Sequence, residues 1–177
     1  MIRYIAFLRG INVSGQKLIK METLRKAMTD EGFEGVATYI QSGNILFQSD
    51  QQDLTSLTIR IERLIENYFG FHTEVILRRY SEVANMMNSP FFRNLNTQTE
   101  IRYYITFLKH EYPDTLTLPL FSKNKDVEIM YRDETALVSI SSLYKGIYGF
   151  PNAFIEKLTG TPATTRNPAT LRKILEL

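Results

Sequence analysis

The stretch Val36-Ala37-Thr38-Tyr39-Ile40-Gln41-Ser42-Gly43-Asn44-Ile45-Leu46-Phe47 decides the fold, because two short β-rich runs flank the turn residues Ser42, Gly43 and Asn44. That pattern predicts a hairpin. Upstream, Met21, Leu24, Ala27 and Met28 recur at helical spacing, with Gly32 where a left-handed cap would end the helix. Before them, residues 2 to 8 are almost continuously apolar, as in a strand buried on both faces. Downstream, Leu54, Leu57, Ile61, Leu64, Ile65 and Tyr68 form a stripe at steps of three and four, with Gly70 just beyond. Val75, Ile76 and Leu77 then centre a fourth strand, Thr73 to Arg78. The order is βαββαβ, the ferredoxin-like split unit.

Further outward the pattern recurs more weakly. Tyr80 to Asn88 reads as a short helix capped by Ser81 and ended by Pro90, and residues 93 to 100 as a polar connection. Then come a strand at Ile101 to Leu108, a helix near Asp114 to Leu120, alternating strands at Val127 to Tyr131 and Ala136 to Ile140, and a helix at Asn152 to Leu158. This βαββα order matches the first half without its final strand. Residues 160 to 166 read as extended, and Asn167-Pro168 opens a last helix with Leu171, Ile174 and Leu175 on its buried face. The expected fold class is therefore α+β: a ferredoxin-like half over residues 1–79, a connecting helix and loop over 80–100, and a related second half over 101–177 packed on the first. No low-complexity linker separates the halves.

Composition bounds the function. In 177 residues the hydrophobic share is 44%, the charged share 23%, and there are 11 Phe and 10 Tyr, which describes a globular chain with a real core. Without Cys there are neither disulfides nor thiolate ligands, and with only His72 and His110 an imidazole zinc site is not expected. No metal and no cofactor are expected. Arg3 precedes a short apolar stretch that runs straight into Arg9, unlike a secretory signal. No window approaches the ~18 apolar residues of a spanning helix. A cytoplasmic protein with no membrane partner is the expectation. A net charge of +2 is too small to imply nucleic acid.

The loop Arg9-Gly10-Ile11-Asn12-Val13-Ser14-Gly15-Gln16-Lys17 is long for a strand-to-helix connection, usually ~2 to 6 residues. It fails as a phosphate-binding P-loop: Gln16 stands at the lysine position, Lys17 comes one residue late and Leu18 replaces the hydroxyl. In a βαββαβ unit the third strand lies between the first and second, antiparallel to both. The loops 9–17 and 41–44 and the start of strand four should then share one sheet edge. That edge would gather Arg9, Asn12, Ser14, Lys17, Gln41, Ser42, Asn44 and His72, which suit a small anionic or polar ligand. The competing reading is that the glycines serve turns and the asparagines bond loop backbone. Arg166, in the run Thr164-Thr165-Arg166-Asn167, is a further candidate anion clamp. His72 and His110 read as surface groups, and Glu22, Asp30, Glu31, Glu62 and Glu66 as solvated helix faces; no catalytic set is assigned.

Phe7-Leu8-Arg9-Gly10-Ile11-Asn12-Val13, Tyr39-Ile40-Gln41-Ser42-Gly43-Asn44, and the stretch from Asn152 to Leu158 followed by Gly160-Thr161-Pro162-Ala163-Thr164-Thr165-Arg166-Asn167 together resemble the bacterial domain-of-unknown-function 1697 family. The resemblance implies an α+β fold with ferredoxin-like parts, and no activity, cofactor or catalytic residue. Where that family commonly continues with Trp, this chain has Pro168, and it contains no Trp. Three functions follow as expectations: binding of a small anionic or polar ligand at the loop edge, with or without catalysis; a non-enzymatic protein-interaction module; and, least supported, single-stranded nucleic-acid binding. The last is weakened by Ile45-Leu46-Phe47-Gln48, which lacks the RNA-recognition pattern. Oligomeric state is not readable.

Overall fold

The computed structural model describes residues 1–13, 15–95, 100–112, 116–133 and 136–177. It divides into two compact units, residues 1–88 with 172–177, and residues 89–171. The first unit runs β1 (Ile2–Leu8), α1 (Met21–Asp30), β2 (Glu34–Tyr39), β3 (Asn44–Ser49), α2 (Leu54–Phe69), β4 (Val75–Arg79) and α3 (Tyr80–Met87). Its sheet has the order β2-β3-β1-β4, and every pairing is antiparallel. Tyr4, Ala6 and Leu8 turn one face of β1 onto a core with Met21, Leu24 and Met28 of α1 and Leu57, Ile61 and Ile65 of α2. Each of the Leu, Ile and Met side chains contributes roughly 1.5–3 kcal/mol through its burial. Ile5, Phe7, Leu46 and Ile76 are buried on the opposite face, and α3 packs against β1 and β4. This is why residues 2–8 are apolar at almost every position.

Helix α2 starts where the Asp53 side chain accepts the Thr55 and Ser56 amides, and it stops at Gly70, whose φ is 76°. Ser81 is not a cap. Helix α3 begins one residue earlier, and Glu82 Oε2 accepts the Arg79 amide at 3.1 Å. Helix α3 stops at Met87, short of Pro90, and Pro90 itself opens the short α4 (Pro90–Arg93), where its missing N–H is harmless. Of the connection expected over 93–100, residues 96–99 lie outside the described residues.

The second unit continues with β5 (Arg102–Leu108), β6 (Leu120–Phe121), β7 (Val127–Arg132), β8 (Ala136–Ser141), β9 (Leu143–Tyr144), β10 (Ile147–Tyr148), α5 (Pro151–Thr159) and β11 (Ala163–Arg166). Its main sheet is ordered β11-β5-β8-β7-β6, again antiparallel throughout. Two expectations are corrected here. The helix placed at Asp114 to Leu120 is not found: residues 113–115 lie outside the described residues, 116–119 are irregular, and Leu120–Phe121 pairs with β7. The final strand thought missing exists as β11, whose Ala163 to Arg166 pair with Leu108 to Ile105. A small hairpin, β9 with β10, turns through Lys145 and Gly146 at φ 49° and 81°. Helix α6 (Pro168–Leu175) closes the chain, with Asn167 Oδ1 accepting the Thr170 amide at 2.7 Å. Within the first unit, Tyr80 donates its hydroxyl to Leu175 O at 2.8 Å.

Candidate functional site

Strand β1 delivers the chain to one edge of the first sheet, and the backbone fastens it there on both sides. The Leu8 amide donates to Gly43 O at 2.8 Å, and the Arg9 amide to Glu74 O at 2.9 Å. Thr73, fully buried, donates its hydroxyl to Arg9 O at 2.6 Å. The loop after β1, the turn after β2 and the approach to β4 thus meet, as their strand positions require.

Asn12 does most of the fastening. It sits at φ 54°, a left-handed conformation that Asn tolerates better than most residues. Its Oδ1 accepts the Ile19 amide at 2.8 Å, while Nδ2 donates to Ile19 O at 3.1 Å and across to Gln41 O at 2.7 Å. One amide therefore copies a strand pairing inside its own loop and ties that loop to the hairpin. Asn44 is fully buried, and its Nδ2 donates to Tyr39 O and Ser42 Oγ at 3.1 and 2.9 Å. Gly43 has φ 73°, and a Cβ there would stand 2.7 Å from Leu8 Cβ and 2.9 Å from Ile11 Cδ1. For Asn12, Asn44 and Gly43 the loop-building reading holds.

The other edge residues are placed differently. Lys17, exposed and at φ 47°, donates from Nζ to His72 O at 2.8 Å and lies 5.9 Å from the Phe71 ring centre. His72 Nε2 is 3.7 Å from Glu74 Oε1. Gln41 is exposed, and Arg9 and Ser42 are half-buried. Ser14 lies outside the described residues. Around these polar groups Val13, Leu18 and Ile40 are 59%, 66% and 53% exposed. Ile40 also holds φ 50°, an unfavourable region for a β-branched residue. Sequence reading did not single out Ile40, Ile19 or Thr73. Nothing in their spacing marks them, since two serve through backbone geometry and Thr73 through one hydroxyl.

Arg166 belongs to β11 in the second unit. Its guanidinium donates to Thr164 Oγ1 at 2.7 Å and to Thr165 O at 2.8 Å, and burial pushes its pKa down to about 10, so it stays charged at neutral pH. It is engaged with its own strand. Glu62, expected on a solvated helix face, instead accepts the Val75 amide at 2.9 Å and so helps to start β4. A surface depression of about 530 Å³ lies on the outer side of α2, lined by Glu31, Ser56, Ile59, Arg60, Arg63 and Asn67. There Arg60 stands 3.5 Å from Glu31 and 4.4 Å over the Phe33 ring. Among the described residues no cluster of three or more His, Asp or Glu is placed to hold a metal ion, and no helix is long and apolar enough to cross a membrane.

Fold and edge together define an α+β protein of two main antiparallel sheets and a small hairpin, the first sheet bearing a rim of cross-braced loops. Residues 1–137 match the model of a protein family of unknown function, DUF1697, and the chain belongs to that family. The C-terminal motif, residues 152–167, lies beyond that match. The structure is similar to that of the conserved bacterial protein SP0830 from Streptococcus pneumoniae, 24% identical, with a TM-score of 0.69 over 99% of this chain and 97% of that one. At that identity the likeness speaks for the fold. No curated protein matches the chain.

Proposed function

We propose that this is a binding protein whose working surface is the loop edge of the first sheet, and that Arg9, Lys17, Gln41 and Ser42 meet a small anionic or polar ligand there. In this reading Asn12 and Asn44 are scaffold. Arg166, engaged within its own strand, is left out of the site. The observation that carries the proposal is the 2.7 Å bond from Asn12 to Gln41 O, by which the protein itself joins two loops far apart in sequence. A surface ordered in advance loses less entropy on binding. The left-handed Lys17 and Ile40 support it, because strained backbone persists only where its surroundings hold it and concentrates at functional sites.

We infer further that each sheet is a ferredoxin-like half. In both, the unit's first strand lies between its last strand and the second strand of a hairpin.

A second reading, a protein-interaction module, is favoured by exposed Val13, Leu18 and Ile40 beside the cations. One experiment separates the two. Thermal shift is measured over nucleotides, sugar phosphates and amino-acid derivatives, on wild type and Arg9→Ala. A ligand at ~100 times its Kd adds ~2.7 kcal/mol of stability. A shift lost in Arg9→Ala supports the ligand site. A shift retained in full moves the ligand elsewhere, and no shift with any compound leaves the interaction reading as the better one.

A further inference from the structure

The C-terminal motif finds its use inside the second unit. Thr165 of β11 stands opposite Thr106 of β5, and their hydroxyls are 2.8 Å apart. Thr165 donates to Asn152 Oδ1 at 3.0 Å, so Thr106 is the donor in the first bond and the chain runs Thr106 to Thr165 to Asn152. This row lies on the sheet face that also carries Leu108, Leu137 and Ala163, packed with Ile155 of α5.

Alternation carries the polar character across that face. In β8, Ser139 and Ser141 follow Leu137 at steps of two and so share its side of the sheet. Ser139 pairs with Tyr104 and Ile129, and Ser141 with Arg102 and Val127. Both serines are completely buried, and neither hydroxyl has a hydrogen-bond partner among the described residues. A segment covers this end of the face: Arg102 stacks 3.8 Å from the Tyr148 ring centre, and Tyr104 meets Phe150 edge-on at 5.5 Å. Between those aromatics Gly149 sits so close that a Cβ would be 2.6 Å from Asp126 Oδ2 and 2.7 Å from Val127 Cγ2.

A hydroxyl buried without a partner is costly, and buried polar groups in folded proteins are nearly always bonded to protein or to ordered water. Two hydroxyls at i and i+2 on one face supply the two or more polar contacts that an internal water needs. We propose that the second unit contains an internal hydration site, in which ordered water is held by Ser139 and Ser141 beneath the segment Tyr148-Gly149-Phe150. Its ligand is water, a neutral donor and acceptor matched to hydroxyls that can serve as either.

The sign of a stability change tests this. If water satisfies the hydroxyls, Ser139→Ala and Ser141→Ala each remove a bonded group, and the melting temperature falls by about 2–4 °C. If the hydroxyls are orphans in a dry wall, removing them leaves the melting temperature unchanged or raises it, and the proposal fails. Oxygen-17 relaxation dispersion supplies the readout that a packing defect alone would not move: the double variant should lose the signal of about one or two long-lived waters. An unchanged dispersion overturns the site. Should the double variant not fold, a high-resolution crystal structure of the wild type decides. Water bonded to both Oγ atoms supports the site, and hydroxyls bonded to main-chain carbonyls with no water overturn it.

Discussion

The two sheets set their strands in corresponding order, yet they treat the connection after the first strand in opposite ways. In the first unit, residues 9–20 form a loop locked by Asn12 and lead into α1. In the second, the next described element after β5 is β6, which extends the sheet at its edge. The cause is local. Met21, Leu24, Ala27 and Met28 give a helical stripe with a face to bury. In the second connection the strand is confined to Leu120 and Phe121, which pair with Ile129 and Glu128 directly after Pro119, a residue with no N–H to extend the ladder backwards. One strand order thus accommodates either a helix or an extra strand, and the version with the helix carries the braced polar rim.

The largest effect that would break this contrast is expected at Gly43. Gly43→Ala forces a Cβ against Leu8 and Ile11 and strains a positive φ, and should cost about 2–4 kcal/mol in chemical denaturation. Gly10, also at positive φ, has open space around it, so Gly10→Ala should cost only about 1 kcal/mol. Equal losses would mean that the close approach at Gly43 does not matter. Next in size is Asn12→Ala, which leaves Ile19 and Gln41 backbone groups without their partner, a loss of about 1–3 kcal/mol. Amide exchange should quicken at Ile19 and in the hairpin turn, while amides of β5 and β8 keep their protection. Loss of protection in both units would erase the distinction drawn between them.

Much of the first sheet was legible because its elements have clean periods and glycine stops. The meeting of the loops was legible too, through the placement of the third strand between the first and second. The polar roles were legible only as two competing readings, one of which had Asn12 and Asn44 bonding loop backbone. Asn12 and Arg9 look alike as loop residues in a sequence, and only coordinates reveal that one amide bonds three backbone groups. The helix expected near Asp114 to Leu120 was misread over its described residues, 116–120, because a short run of Leu and Thr with Pro fits a frayed helix as well as an extended segment. Residues 160–166 read as extended, but that Ala163 to Arg166 form the last strand was not legible, because they have little apolar pattern and their strand character comes from pairing with β5.

The smallest effect concerns how the two units start their long helices. Asp53 caps α2, and bonds from the Ser56 hydroxyl first and the Ser56 and Thr55 amides after it hold its carboxyl below the ordinary 3.8. Helix α5 opens with Pro151 and has no side-chain cap. A lowered carboxylate pKa means that the capped state is favoured above pH 3.8, and that the contribution fades as pH falls through the lower, folded value. Because Asp53 is fully exposed, the change should be small and local. Amide protection in the first turn of α2, relative to the intrinsic exchange rate at each pH, should therefore fall on acidification while that of the first turn of α5 stays level. Asp53→Asn, which still caps but does not titrate, should flatten the α2 response. An α5 that frays in step with α2 would show that acid acts on the whole chain and not on this carboxylate.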